Sequence, residues 1–165
     1  MTVNNIIYKG HGLTLYIPDN IISLWATHQQ TESNGTEQFG IIIGCSSEDK
    51  KTFWIESVTT PLTNDKSSRT YFEMLDKGHE AAVKDAFIKS GSTSIFLGTW
   101  HTHPESIPVP STIDKKDWKI SINNNPGRQL FFVIVGTKQT RVFIRRTLGL
   151  GFRQLKRIVT KDEPE

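Results

Sequence analysis

The chain has 165 residues, 36% of them hydrophobic and 22% charged, a composition typical of one globular domain with its own core. Its net charge of +3 and its short apolar runs predict neither a nucleic-acid partner nor a membrane span. The single cysteine excludes an intramolecular disulfide, and the start lacks the apolar core of a signal peptide, so we expect a cytoplasmic protein. We expect the domain to cover residues 1–160 and the polar residues 161–165 to be frayed.

The first part of the chain predicts a strand, a helix and two more strands. Residues 13–17 alternate apolar and polar side chains, which is the period of a half-buried strand. Apolar residues at helical spacing follow over 19–29 and predict a first helix. After a polar loop, the segments 39–45 and 52–60 are rich in β-branched and aromatic residues and predict central strands.

The second part predicts two helices that alternate with further strands. A loop at 63–69 precedes a helical pattern over 73–89, which Gly91 ends, and residues 95–100 predict another strand. A loop rich in His and Pro follows at 101–110. The remaining elements are a short helix at 111–122, a hairpin of strands at 130–136 and 140–147, and a segment at 152–159 whose pattern leaves strand and helix open. This order predicts an α/β fold in which one mixed central β-sheet packs against helices.

The segment 100–118 is the one that indicates chemistry. His101 and His103 follow a predicted strand, and Asp114 comes at the start of the next helix. Side chains two residues apart in a strand point to the same side, so both imidazoles can face one metal ion. Two imidazoles, one carboxylate and an open fourth position for water form a ligand set that Zn²⁺ takes in hydrolytic sites. We therefore predict one zinc ion on these three residues, although the ligand chemistry leaves manganese and iron open.

A purely structural interpretation of the same residues competes with the metal site. A His-x-His pair alone is common without a metal role, and His79 on the predicted long helix favours a core histidine. Ser111 and Asp114 have the spacing of a helix N-cap and its third position. Both interpretations can hold, because a cap also fixes Asp114 in place. The full combination of His-x-His-Pro, a seven-residue spacer and Ser-x-x-Asp favours the metal.

This combination resembles the JAMM signature of the MPN-domain metalloproteases. That family also places a glutamate just before a buried strand, and Glu37 stands in the matching phrase TEQFGIIIG. The resemblance implies a single MPN (JAMM)-type domain in which His101, His103 and Asp114 bind zinc. It further implies that Glu37 is the general base and that Ser111 donates a hydrogen bond to the oxyanion. The competing candidates for the base are Glu32, Glu48 and Glu56.

Flanking residues narrow the resemblance to a smaller group. The phrase GTWHTHPE, Trp118 and the upstream Arg69 and Phe72 are similar to small bacterial JAMM proteins that accompany CBASS antiphage defence islands. The similarity covers about residues 13–147. It implies an isopeptidase that cuts the amide bond joining the C-terminus of a cGAS-like nucleotidyltransferase to its target.

A protein substrate of this kind needs a groove for its extended C-terminal tail. The resemblance implies that the tail lies along a strand edge by β-augmentation. We expect the loops 61–70 and 119–128 to form the groove walls, since specificity usually resides in loops. We expect Trp100 and Trp118 to pack so that they orient the ligands, and Glu105 to be exposed or to touch substrate.

Three other functions stay open on the sequence. They are a JAMM peptidase for another ubiquitin-like or sulfur-carrier tail, a non-catalytic MPN scaffold, and a DNA-associated role. Retention of Glu37 and the three ligands counts against the scaffold, and the mild charge counts against DNA. A basic stretch near the end predicts either a solvated strand edge or a dock for an acidic protein surface. It consists of Arg141, Arg145, Arg146, Arg153, Lys156 and Arg157.

Overall fold

A closed barrel of eight strands forms the centre of the protein, in a computed structural model that describes residues 4–146 and 151–159. The strands are β1 Asn5–Gly10, β2 Leu13–Pro18, β3 Phe39–Ser46, β4 Thr52–Val58, β5 Lys66–Ser67, β6 Phe72–Glu73, β7 Ile95–Thr102, β8 Phe131–Val135, β9 Thr140–Arg145 and β10 Phe152–Ile158. The helices are α1 Asp19–Thr27, α2 Gly78–Lys89 and α3 Thr112–Asn124.

The barrel is a mixed sheet, which confirms the predicted fold class. The strand order around the barrel is β1-β10-β9-β8-β7-β3-β4-β2, and β5 and β6 form a separate two-stranded sheet. Within the barrel, β2–β4 and β7–β8 are parallel pairs, while the other pairs are antiparallel. The predicted strands at 13–17, 39–45, 52–60 and 95–100 each lie in it. The segment at 152–159, whose sequence pattern is compatible with a strand or a helix, is a strand that pairs with β1 and β9.

Four elements differ from the sequence prediction: β1, the short strands β5 and β6 in and just after the predicted loop at 63–69, and the start of α2. Residues 5–10 form an additional strand, β1, in which Tyr8 is the one fully buried side chain, so its pattern is weak. The second helix begins at Gly78 rather than at residue 73. The carboxylate of Asp65 accepts the backbone N–H groups of Leu75 and Asp76, both at 2.8 Å, and this keeps the preceding turn out of the helix.

The core fixes both elements that carry the candidate ligands. Trp100 on β7 is fully buried against Trp25 of α1, with ring centroids 6.0 Å apart. Trp118 on α3 is 3% exposed and stacks on Phe132 of β8 at 4.9 Å. Truncation of a buried tryptophan to alanine costs about 3–5 kcal/mol, so each ring anchors its element firmly. This arrangement agrees with the prediction that the two tryptophans pack so that they orient the ligands.

Close backbone approach aligns β3 with β7. At Gly40 an added Cβ would lie 1.8 Å from the carbonyl oxygen of Thr59 and 2.7 Å from the indole nitrogen of Trp100. No side chain larger than hydrogen fits there, so the strands keep a register in which Phe39 faces His101. That register brings the residues just before β3 to the end of β7.

No helix within the described residues is long and apolar enough to cross a membrane. The predicted frayed tail at 161–165 lies outside the described residues.

Candidate metal and active site

The end of β7 and the start of α3 bring together His101, His103 and Asp114. The Nε2 atoms of the two histidines are 3.0 Å apart. Asp114 reaches both rings, with Oδ1 3.1 Å from His101 Nε2 and Oδ2 3.2 Å from His103 Nε2. All three residues are buried, with exposed fractions of 1%, 5% and 7%.

These distances fit a small divalent cation. Zinc takes nitrogen and oxygen ligands at about 2.0–2.1 Å in a tetrahedron, which separates neighbouring ligand atoms by about 3.3 Å. The observed separations of 3.0 to 3.2 Å between the three donor groups are close to that edge length. The residues present therefore fit the zinc ion that the sequence predicts, with room only for a compact ion among them.

The hydrogen-bonding state of His103 and Asp114 also favours a bound cation. Nδ1 of His103 lies 3.0 Å from Oε1 of Glu105, and we assign the Nδ1 proton of the neutral ring to this hydrogen bond. The lone pair of His103 Nε2 then faces the carboxylate of Asp114, so two acceptors meet without a proton of their own. A cation between them removes this conflict.

Glu105 has a role that the sequence analysis missed. Its carboxylate is about half exposed, in keeping with the expected surface position, but its Oε1 also lies 3.0 Å from Nδ1 of His103 and orients that ring. Carboxylates that bind the second nitrogen of a ligating histidine set the orientation and basicity of that ligand. The spacing His103-x-Glu105 was the available signal, but it depends on which way the imidazole turns.

The capping interpretation of Ser111 and Asp114 also holds. The Ser111 hydroxyl accepts the backbone N–H of Asp114 at 3.0 Å, and the Asp114 carboxylate accepts the backbone N–H of Ser111 at 2.7 Å. Burial raises the pKa of Asp114, but the adjacent rings of His101 and His103 and the hydrogen bond from the Ser111 backbone outweigh burial and keep the pKa well below its usual range. The capping bond uses an oxygen lone pair of Ser111, so it leaves the hydroxyl proton uncommitted.

Glu37 lies next to the histidine pair, at the entrance to β3. Its Oε1 is 3.9 Å from His103 Nε2, and the residue is 3% exposed. Burial raises the pKa of Glu37 to about 8; His103 opposes this shift and Asp114 adds to it. A cation held by the neighbouring ligands would favour the charged carboxylate.

The strand pairing brings Glu37 there. The backbone N–H of Gln38 donates to Thr102 Oγ1 at 2.9 Å, and the N–H of Thr102 donates to the Gln38 carbonyl at 2.9 Å. The N–H of Glu37 itself donates to the carbonyl of Ser68 at 2.7 Å. The competing bases lie elsewhere: Glu32 and Glu48 are exposed, and Glu56 accepts the hydroxyl of Ser94 at 2.7 Å.

A groove of about 310 Å³ opens beside Asp114. One wall is residues 71–74, and the other is the face of α3 that carries Asp117, Trp118 and Ile120. The expected wall at 61–70 is therefore displaced to the residues that follow it. The expected wall at 119–128 contributes its first residues only, since residues 122–130 line a different cavity.

These features coincide with a known domain. Residues 21–147 match the prokaryotic homologues of the JAB domain, and the chain belongs to that family. It is 33% identical to a protein named CD-NTase/cGAS isopeptidase from Pseudomonas aeruginosa, over 83% of this chain and 85% of that relative. It is 30% identical to one of the same name from Escherichia coli, over 86% of each chain. These similarities confirm the resemblance to the small bacterial JAMM proteins.

The fold has a solved counterpart as well. The solution structure of a protein from Desulfitobacterium hafniense matches with a TM-score of 0.57 and 26% identity, over 89% of this chain and 92% of that one.

Proposed function

We propose that the protein is a zinc-dependent isopeptidase that hydrolyses the amide bond joining the C-terminus of a cGAS-like nucleotidyltransferase to its target. The observation that carries this proposal is the buried cluster of two histidines and an aspartate with the Glu37 carboxylate 3.9 Å from His103. The names of the relatives from Pseudomonas aeruginosa and Escherichia coli support the choice of substrate.

The residues of the cluster have separate tasks in this proposal. When bound by His101, His103 and Asp114, Zn²⁺ would acidify a water and polarise the scissile carbonyl. Glu37 takes the proton of the attacking water and later delivers it to the leaving amine, as a general base and then a general acid. The Ser111 hydroxyl donates to the oxygen that becomes negatively charged.

The groove beside Asp114 suits an extended protein tail. Tyr71, Phe72 and Ile120 give it apolar walls. The groove runs between residues 71–74 and one face of α3. The short β5–β6 sheet supplies a strand edge next to the groove for β-augmentation. The groove also carries three carboxylates, those of Glu73, Asp114 and Asp117, which would repel the phosphates of a nucleic acid. We place the reaction in the cytoplasm, in agreement with a chain that holds one free cysteine.

The test is hydrolysis of a purified conjugate. The nucleotidyltransferase joined through its C-terminus to a target lysine is incubated with the protein, before and after full chelation, and the released fragments are measured by mass spectrometry. We expect cleavage at the junction that stops on chelation. A ubiquitin-like or sulfur-carrier tail joined to the same lysine distinguishes the substrate class. Cleavage that survives full chelation would contradict metal-dependent hydrolysis, and preference for the second tail would contradict the proposed substrate.

A further inference from the structure

Thr102 lies between the two candidate histidine ligands at the end of β7, and its side chain points away from them. Successive side chains of a strand lie on opposite faces, so the histidines face the metal site while Thr102 faces the loop after α1. Thr102 is fully buried. Its hydroxyl oxygen accepts the backbone N–H of Gln38 at 2.9 Å, and its proton is donated to Oε1 of Gln30 at 2.9 Å. A residue between the ligands therefore holds the segment that carries Glu37.

Gln30 is the buried amide at the centre of this network, with an exposed fraction of 4%. The Thr102 hydroxyl has one proton and already accepts from Gln38, so we assign that proton to the bond with Gln30 Oε1. The Nε2 group of Gln30 then faces two carbonyl oxygens, those of Arg69 at 3.0 Å and Gly35 at 3.3 Å, and donates to both. Donors and acceptors match at every contact, so the amide keeps one orientation and joins three segments of the chain.

The turn at residues 68–71 holds the same segment from the other side. The carbonyl oxygen of Ser68 accepts the backbone N–H of Glu37 at 2.7 Å. The guanidinium of Arg69 donates through Nη1 to the carbonyl oxygen of Ser33 at 2.5 Å. The backbone of Glu37 is therefore held between β7 and this turn.

The carboxylate of Glu37 makes no hydrogen bond within the described part of the chain. Its Oε1 lies 3.9 Å from Nε2 of His103, which is outside hydrogen-bond distance. Because the side chain has no such partner, the distance between this carboxylate and the ligands depends on where the backbone is held. In enzymes, a displacement of about 1 Å at the reacting groups can cost about 10²-fold in rate.

We propose that Thr102 and Gln30 are positioning residues that hold Glu37 at its working distance from the metal site. Both are buried, so they act through the backbone of residues 35–38 and do not contact the substrate. This inference rests on the proposed function, because it takes Glu37 to be the general base. Residues of this kind should affect kcat and leave KM and metal content unchanged.

Thr102→Val removes the hydroxyl and keeps the shape of the side chain. We expect kcat for the conjugate to fall about tenfold to hundredfold, with KM changed by less than about twofold and zinc at one per chain. Thr102→Ser restores the hydroxyl and should recover most of kcat. Ser94→Ala is the matched control, because it removes a buried hydroxyl that donates to Glu56 at 2.7 Å, just before the same strand. It should leave kcat unchanged.

The Glu37→Gln background separates positioning from a general loss of structure. Substitutions that act through one group are not additive, so Thr102→Val should cause no further loss of kcat in Glu37→Gln. If Thr102→Val does not fold, Gln30→Met, which keeps the length of that side chain, undergoes the same tests. Parental kcat in the folded variant, loss of zinc, or an equal loss of kcat in both backgrounds would overturn the proposal.

Amide hydrogen exchange tests the positioning without the reaction. We expect the backbone N–H groups of Glu37 and Gln38 to exchange at least about tenfold faster in Thr102→Val, while Ile41, which donates to Thr59 farther along β3, keeps its rate. Unchanged exchange at Glu37 and Gln38 would also overturn the proposal. If the parent protein does not cleave the conjugate, the proposed function fails, and the exchange result alone decides whether Thr102 holds the segment.

Discussion

Two buried clusters of histidine and aspartate lie within the described residues, and they differ in how their protons are used. In one, His79 lies between Asp65 and Thr59, with its ring nitrogens 2.6 Å from a carboxylate oxygen and 2.6 Å from a hydroxyl. In the other, His101 and His103 face Asp114. The residue types are nearly the same, so composition alone does not separate the two clusters.

The His79 cluster is complete without any added ion. The backbone N–H of Ile41 donates to Thr59 Oγ1, whose hydroxyl can donate to His79 Nδ1 while His79 Nε2–H donates to Asp65. The second oxygen of Asp65 accepts two backbone N–H groups. Every donor in this series of hydrogen bonds meets an acceptor. The His79 cluster is therefore a structural network that fixes the loop before α2.

The His101 cluster lacks that balance. In the neutral tautomer whose Nδ1–H donates to Glu105, the facing atoms of His103 and Asp114 are both acceptors, 3.2 Å apart. The comparison teaches that a candidate metal site is recognised by acceptors that converge without protons, more than by the presence of histidines.

The largest effect is expected for Asp114→Asn. The amide keeps an acceptor oxygen for the helix cap but is a poor metal ligand, so we expect bound zinc to fall from one per chain to near zero and hydrolysis to become undetectable. Metal content by mass spectrometry and the conjugate assay measure both. Asp117→Asn, one turn along the groove, is the matched control and should keep its zinc. Full zinc occupancy in Asp114→Asn would remove this aspartate from the ligand set.

Glu37→Gln should separate catalysis from metal binding. Because the amide cannot take a proton, we expect kcat to fall about 10²- to 10⁴-fold, the range typical of a lost general base, while zinc content stays at one per chain. The control is Glu32→Gln, since Glu32 is exposed and should leave kcat unchanged. Loss of zinc from Glu37→Gln would indicate that Glu37 is itself a ligand.

His79→Ala should lower the stability of the fold and leave metal binding unchanged. It leaves the Asp65 carboxylate and the Thr59 hydroxyl buried without their partner, so we expect the free energy of unfolding to fall by about 3–5 kcal/mol, the cost of breaking a buried pair. Zinc content should be unchanged. Urea unfolding and metal analysis of the same sample give both values, with the partly buried His28→Ala as a milder control. A zinc-free His79→Ala protein that remains folded would show that the two clusters are not separate.

Glu105→Ala should weaken zinc binding without abolishing it. Loss of a carboxylate behind a ligating histidine typically costs about 10- to 100-fold in metal affinity. Competition with a chelator of known affinity measures this change, and Glu105→Gln, which keeps an acceptor oxygen, should recover part of it. If Glu105→Ala binds zinc as tightly as the parent protein, the assigned tautomer of His103 is wrong.

The smallest effect concerns acid stability. Burial raises the pKa of Asp65, but hydrogen bonds from the Asp76 backbone, from His79 and from the Leu62 backbone outweigh it, so the folded pKa lies below the usual value. In the window between that pKa and the unfolded value of about 3.9, the unfolded chain binds more protons. The contribution of Asp65 to stability is therefore present above this window and is lost as the pH falls through it.

Urea unfolding between pH 3 and pH 5, values on the two sides of an ordinary aspartate pKa of about 3.9, tests this sign. The free energy of unfolding should fall less steeply with acid in Asp65→Asn than in the parent protein. Asp85→Asn, at an exposed ion pair on α2, should keep the parental slope. Parallel slopes for all three proteins would contradict the proposed contribution of Asp65.

Local rules explain what the sequence could predict. His101 and His103 lie two apart on one strand, and Ser111 and Asp114 form a cap, so both halves of the cluster follow from neighbours in the chain. Glu37 came from resemblance alone, because its approach depends on the pairing of β3 with β7, more than sixty residues apart along the chain.

Features that depend on distant partners were missed. The true start of α2 depends on the Asp65 side chain, which captures the N–H groups of Leu75 and Asp76 from ten residues away. The closure of the barrel depends on β1, whose alternation of apolar and polar residues is too weak to predict a strand. The cavity among α1, β1, β10 and the β8–β9 hairpin also required the folded chain, since its cationic lining comes from the hairpin and β10 while its apolar lining comes from α1 and β1.

The most direct test of the central claim is a zinc titration of the fully chelated protein, followed by hydrolysis of the nucleotidyltransferase conjugate. Our account predicts no cleavage without metal and a linear recovery that reaches its plateau at one zinc per chain, with Asp114→Asn inactive throughout. Cleavage by the metal-free protein, or recovery of Asp114→Asn to the parental rate, would contradict it.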